Sequence, residues 1–343
     1  MRESKQYNYE IPIVVFCQIP QGKLDALANL IKELSSAPYI FHLKEHLEGI
    51  LIVPDNLIKP TVHEIAKTFL KKYSYLSDPT PPKAIAIPVE YESNLLCFIV
   101  MSESLLQSVD ENNYHTLDFV MAVLEGLLYV QIYVIAWKDR GYLYPKTLAS
   151  SFETDLFLLS SLIHDEYIVC KVLALILATD RLVETEERKI IGIIRSKEPI
   201  ALILDASAIE LAQIIARTLR DKIQQPWSML MRCIWRHMFK PLARISGYDI
   251  NLDLSKSTNK PNDSCFYRDY IAKYWDKIQE ELESYYNRGL NGNESVLNKI
   301  SKIIEEFLRE VGITHSDIDK REYEVKFNKR FFDFIKTLIG QIH

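Results

Sequence analysis

Glycine is scarce in this chain, with ten in 343 residues. Neither G-x-G-x-x-G nor G-x-x-x-x-G-K-[ST] occurs. Both phosphate cradles need glycine so that backbone can approach the phosphates, so these nucleotide-binding modes are disfavoured. G-x-S-x-G is missing too, which removes the nucleophile elbow of serine hydrolases. The five cysteines (Cys17, Cys97, Cys170, Cys233, Cys265) are an odd number, widely spread, with no C-x-x-C pair. That pattern disfavours a disulfide framework and a zinc knuckle, and reduced thiols are expected. An excess of one charge is also lacking: 41 basic residues face 46 acidic ones, for a net charge of −5. No global field then dictates a nucleic-acid or membrane partner, and any such patch must be local. The first ten residues are polar and lack the apolar centre of a secretory signal, so a cytoplasmic location is expected.

Apolar residues make up 48% of the chain, enough to bury cores in two or three domains. Periodicity predicts an α+β protein, mainly helical. Over 1–80, runs at Ile11–Ile19, Gln21–Ser35, Tyr39–Glu45, Gly49–Val53 and Thr61–Tyr73, with Lys83–Val89 as a last strand, read as a ferredoxin-like βαββαβ unit. Asp78-Pro-Thr-Pro-Pro82 is the linker signal, because successive prolines continue neither a helix nor a central strand. A central domain, 83–250, is expected to open with a hairpin (Ala84–Val89, Leu95–Met101) and continue as helices. These are placed at 117–137, 153–162, 165–178, 184–195, 206–222 and 228–245. After a polar loop at 251–264, the region 266–343 reads as three charged helices broken near 288–293 and at Gly312.

The run Leu117–Trp137 is almost wholly apolar yet carries Glu125 near its middle. A charge placed so must be paired, protonated or facing a cleft, since burying it alone costs several kcal/mol or more. The run has the length of a membrane span. Asp118, Glu125 and Gln131 fall inside it, however, and each central charge costs about 2.5–3.5 kcal/mol on insertion, so a buried helix and no membrane partner are expected. At 100° per residue Asp118, Ala122, Glu125, Tyr129 and Ala136 share one stripe, opposite Val120, Val123, Leu127, Val130 and Val134.

Three strings carry motif chemistry. His42-Leu-Lys-Glu-His46 fits H-x-x-E-H, but on a strand its histidines stand about 13 Å apart at roughly 3.3 Å per residue, too far for one zinc. A strand end and turn is the preferred reading. His164-Asp165 resembles the paired metal ligands of HD phosphohydrolases, without an upstream histidine at the family spacing. Asp165 is read instead as the N-cap of the helix that follows. Arg232-Cys-Ile-Trp-Arg-His237 resembles the Arg-x4-His string of HEPN ribonucleases. Between Arg217 and Arg244 seven basic residues stand against one acidic residue, Asp221. Arg232, Arg236 and Lys240 recur every four residues on one helix face near Trp235, His237 and Phe239, a pattern suited to phosphate contact with base stacking. The competing reading pairs these cations internally with acids of the third region, among them Glu281, Glu283, Glu306 and Glu310.

Val123-Leu-Glu-Gly-Leu-Leu-Tyr129 resembles the H-E-x-x-H helix of zinc metallopeptidases, with the glutamate kept as Glu125 and leucine at both metal positions, 124 and 128. Phe98–Leu106 resembles the strand and connection before that helix, and Ser160–Leu173 a later helix of soluble zincin-like proteins. The resemblance covers about 83–178. It implies a peptidase-like scaffold lacking both zinc ligands, and so no metal, no cofactor and no peptidase chemistry. The expected function is a non-catalytic intracellular binding or regulatory protein with a protein partner. The alternative is a nucleic-acid-binding protein or HEPN-like ribonuclease acting through the basic helix 228–245. The candidate binding residues are Glu125, Arg232, Arg236, His237 and Lys240.

Overall fold

The computed structural model describes residues 5–7, 10–35, 43–69, 84–107, 117–142, 151–179, 210, 213, 231, 233–252, 267–317 and 323–340. The chain is α+β and mainly helical, and its internal contacts divide it into two units, Met1–Leu143 and Tyr144–His343.

The first unit is built on a five-stranded sheet. Its elements are β1 (Lys5–Tyr7), β2 (Ile13–Val15), α1 (Gln21–Ser35), α2 (Leu43–His46), β3 (Leu47–Val53), α3 (Ile58–Phe69), β4 (Ala84–Tyr91), β5 (Asn94–Ser102), α4 (Glu103–Gln107) and α5 (Leu117–Arg140). The strand order is β1-β2-β3-β5-β4. β2, β3 and β5 run parallel, and β1 and β4 close the edges antiparallel. Alternation along β5 sends Leu96, Phe98 and Val100 to one face, where they join Ile87, Val89, Val53 and the α3 residues Ile58 and Val62. Cys97, Ile99 and Met101 point to the other face, which α5 covers. Pro88 lies in β4, an edge strand, where a missing N–H breaks no ladder on the outer side.

This sheet differs from the βαββαβ unit expected over 1–80. The hairpin expected to open a second domain forms the far half of the first unit's sheet, and the described part of the expected strand Tyr39–Glu45 is the helical turn α2. A turn there places Leu43 and Leu47, four residues apart, both in the core. β4 and β5 are joined through Glu92 and Ser93 at φ of 46° and 67°, a left-handed pair that matches strand twist but suits asparagine and glycine better.

The second unit is organised on α6 (Ser151–Thr179), one helix of 29 residues with buried side chains around much of its circumference. A π-helical turn at Trp235–Phe239 leads into α7 (Lys240–Leu252), which packs along α6. A second π turn, Tyr267–Ile271, leads into α8 (Ala272–Asn287), followed by α9 (Asn293–Glu310), a hairpin of β6 (Ile313–Asp317) and β7 (Tyr323–Phe327), and α10 (Lys329–Gly340). Gly247 sets the α6–α7 spacing, since a Cβ there would lie 2.7 Å from Cys170 Cβ and from the Tyr167 carbonyl. The break at Arg288–Gly292 is made by Gly289, Leu290 and Gly292, all at positive φ. The hairpin replaces part of the expected third helix, because Tyr323–Phe327 alternates with period two. The helices expected at 184–195 and, apart from Glu210 and Gln213, at 206–222 lie outside the described residues.

Candidate functional site

Glu125 lies on the middle turns of α5, which packs on β4 and β5. The helix stops at Gly141, whose φ of 71° is the left-handed cap and whose N–H reaches the Trp137 carbonyl at 2.7 Å. Lys138 and Arg140 in the last turn complement the helix dipole. Val123, Leu127, Val130 and Val134 are buried and Val120 is half-buried, but Ala136, on the stripe of Glu125, is buried too. Gly126 faces β5, where an added Cβ would meet Ile99 side-chain atoms at 3.4 Å. Glu125 is half-buried, beside Ala122 and Tyr129 on the more polar stripe.

The two positions that carry metal ligands in the resembling motif are closed. Leu124 and Leu128 are each 2% exposed and belong to the core. Among the described residues, no group of three or more His, Cys, Asp or Glu side chains is placed to hold a metal ion. Phe119–Arg140 is the one helix among the described residues long and apolar enough to cross a membrane, and 61% of its most apolar window is buried within the protein.

The basic helix is distributed differently from a free cationic face. Arg232 lies outside the described residues. Arg236 and His237 sit in the π turn, where the Lys240 N–H bonds the Trp235 carbonyl five residues back. Angular positions read at 100° per residue therefore do not carry across this turn unchanged. His237 is buried, with Nδ1 3.4 Å from a Glu210 carboxylate oxygen, and Arg236 and Lys240 are half-buried. Arg244 donates to Glu166 at 2.7 Å. Among the described residues, four third-region acids pair with lysines outside the basic helix: Glu310 with Lys273, Glu306 with Lys277, Glu281 with Lys299, and Glu283 with Lys171.

A buried polar cluster on α6 was missed by sequence reasoning. His164 Nδ1 lies 2.8 Å from Asp165 and its Nε2 3.2 Å from the Asn293 amide nitrogen, with the Tyr285 ring edge-on. The Asn293 amide is placed to donate to Nε2, and Nδ1 faces the Asp165 carboxylate. Asp165 is thus in the interior of one continuous helix, which corrects the N-cap reading. Two turns on, Lys171 Nζ donates to Glu283 at 2.8 Å and to the Tyr167 hydroxyl at 3.2 Å, and stands 4.3 Å from the Tyr286 ring centre. Tyr167 in turn donates to Glu283 at 2.6 Å. Burial first, then the Glu283 contact, pushes the Tyr167 phenol well above its ordinary range. The sequence signal was available: Glu166 and Lys171 are charges in a run as apolar as the one around Glu125. His46, from the H-x-x-E-H string, places Nδ1 3.0 Å from the Leu95 carbonyl, and His42 lies outside the described residues.

No protein-family model, no curated protein and no solved structure matches this chain.

Proposed function

We propose that this chain is a non-catalytic intracellular binding or regulatory protein on a scaffold resembling a zinc peptidase that has lost its metal site. The observation that carries the reading is the closure of positions 124 and 128. Leucines sealed in the core on either side of Glu125 supply no donor to a metal, and opening either position would cost core burial. Glu125, without a metal-held water beside it, has no peptidase step to perform. The Arg244–Glu166 pair and the burial of His237 weigh against the ribonuclease alternative, since part of the basic helix is engaged within the protein. A protein partner remains the proposed ligand class.

Incubating the zinc-supplemented chain with unstructured polypeptide substrates tests the reading. Intact substrate is expected for wild type and Glu125→Gln alike. Zinc-dependent cleavage lost in Glu125→Gln would overturn it.

A further inference from the structure

Asn291-Gly292 is the single Asn-Gly pair in the sequence. It lies in the link between α8 and α9, where Arg288, Gly289, Asn291 and Gly292 are all exposed. Gly292 sits at φ 82° and ψ 41°, left-handed backbone that glycine adopts without strain. A Cβ built there would meet nothing within 4 Å, so the space around this residue is open. Among the described residues no hydrogen bond engages the Gly292 N–H. The Asn291 carboxamide donates through Nδ2 to the Arg288 carbonyl at 3.1 Å. An exposed neutral bond of this kind exchanges with water and does not lock the side chain.

We propose that Asn291 is a self-modification site that converts to aspartate and isoaspartate. The Gly292 backbone nitrogen gives its proton to solvent and attacks the Asn291 Cγ carbonyl, which no Cβ on Gly292 obstructs. A bond from that nitrogen to Cγ forms, the bond from Cγ to the side-chain nitrogen breaks, and the side-chain nitrogen leaves as ammonia with a proton from water. Water, the only co-reactant, then opens the five-membered imide. Opening between the ring nitrogen and Cγ leaves aspartate. Opening between the ring nitrogen and the Asn291 backbone carbonyl leaves isoaspartate, whose main chain is one carbon longer. Either product adds a negative charge just before α9, where the helix dipole favours it. Isoaspartate also displaces the chain two residues before Asn293, whose amide nitrogen stands 3.2 Å from His164 Nε2 and 3.4 Å from the Tyr285 hydroxyl. The isoaspartyl form therefore loosens the anchor of α9 on α6.

Ageing the full chain in neutral buffer, folded and in denaturant, and mapping its peptides by mass spectrometry tests the site. Asn291 is expected to gain about 1 Da faster than any other asparagine, and at a rate within about tenfold of that in the denatured chain. Faster conversion at another asparagine, or protection by the fold of more than about tenfold, would overturn the assignment. The loosening of α9 is tested by separating the isoaspartyl fraction and comparing it with Asn291→Asp, which carries the same charge on a chain of ordinary length. A lower midpoint in denaturant unfolding is expected for the isoaspartyl form. Equal midpoints would overturn the link from the loop to α6.

Discussion

Lys171 and Glu283 meet at 2.8 Å across 112 residues of sequence, although the lysine side chain is only 3% exposed. The carboxylate is 30% exposed, so the pair is a buried ammonium held by a carboxylate that keeps some contact with water. Removing the carboxylate strands the ammonium in the core, and breaking a buried pair this way costs about 3–5 kcal/mol. For Glu283→Ala we expect about 2–4 kcal/mol, discounted for that exposure. Glu283→Ala with Lys171→Met should recover most of the loss in denaturant unfolding. Equal stability of the single and double variants would contradict this account of the pair.

Gly247 leaves no room for a side chain, because a Cβ would fall 2.7 Å from both Cys170 Cβ and the Tyr167 carbonyl on α6. Gly247→Ala gains helix propensity of about 1 kcal/mol, yet must push α7 from α6. A net destabilisation of about 1–3 kcal/mol is expected in thermal unfolding. A stabilised variant would show that α7 shifts from α6 at little cost.

The β4–β5 turn is strained at two residues with side chains, Glu92 and Ser93. Replacing both, Glu92→Asn with Ser93→Gly, supplies the residue types that accept positive φ in a two-residue hairpin. A gain of about 1 kcal/mol in stability is expected, with the fold unchanged. A loss would mean that the native side chains make contacts outweighing the strain.

Glu310 accepts hydrogen bonds from Lys273 and Tyr274, which, with the Lys273 and Arg330 charges, hold its carboxyl below the ordinary value of 4.5. A depressed carboxyl contributes stability above its unfolded pKa, and that contribution is lost as pH falls through the lower folded value. Because Glu310 is 53% exposed, the effect is small, well under about 1 kcal/mol. Titration followed by carboxyl NMR should show Glu310 moving upward in Tyr274→Phe. An unmoved titration would remove the phenol from the interaction.

Fold class and the strongest elements were legible because they follow from local pattern. The β4–β5 hairpin stands out as two short apolar runs, as strands covered on both faces do, and α5 separates into an apolar and a more polar stripe. What was not legible depends on distant partners. Arg244 finds Glu166 78 residues away, and nothing in the basic run itself distinguishes an arginine facing solvent from one turned toward a buried carboxylate. The continuity of α6 through His164-Asp165 was obscured because aspartate is a common cap, whereas here it stays in the helix, beside the His164 ring. The parallel neighbours β2, β3 and β5 depend on crossovers that periodicity alone does not specify.

The proposed absence of a metal site beside Glu125 rests on Leu124 and Leu128, each 2% exposed. The zinc content of the purified full chain, dialysed against zinc and then against buffer, tests it most directly. The account predicts only traces of zinc, the same in wild type and Glu125→Gln. One zinc per chain retained through the dialysis would contradict it.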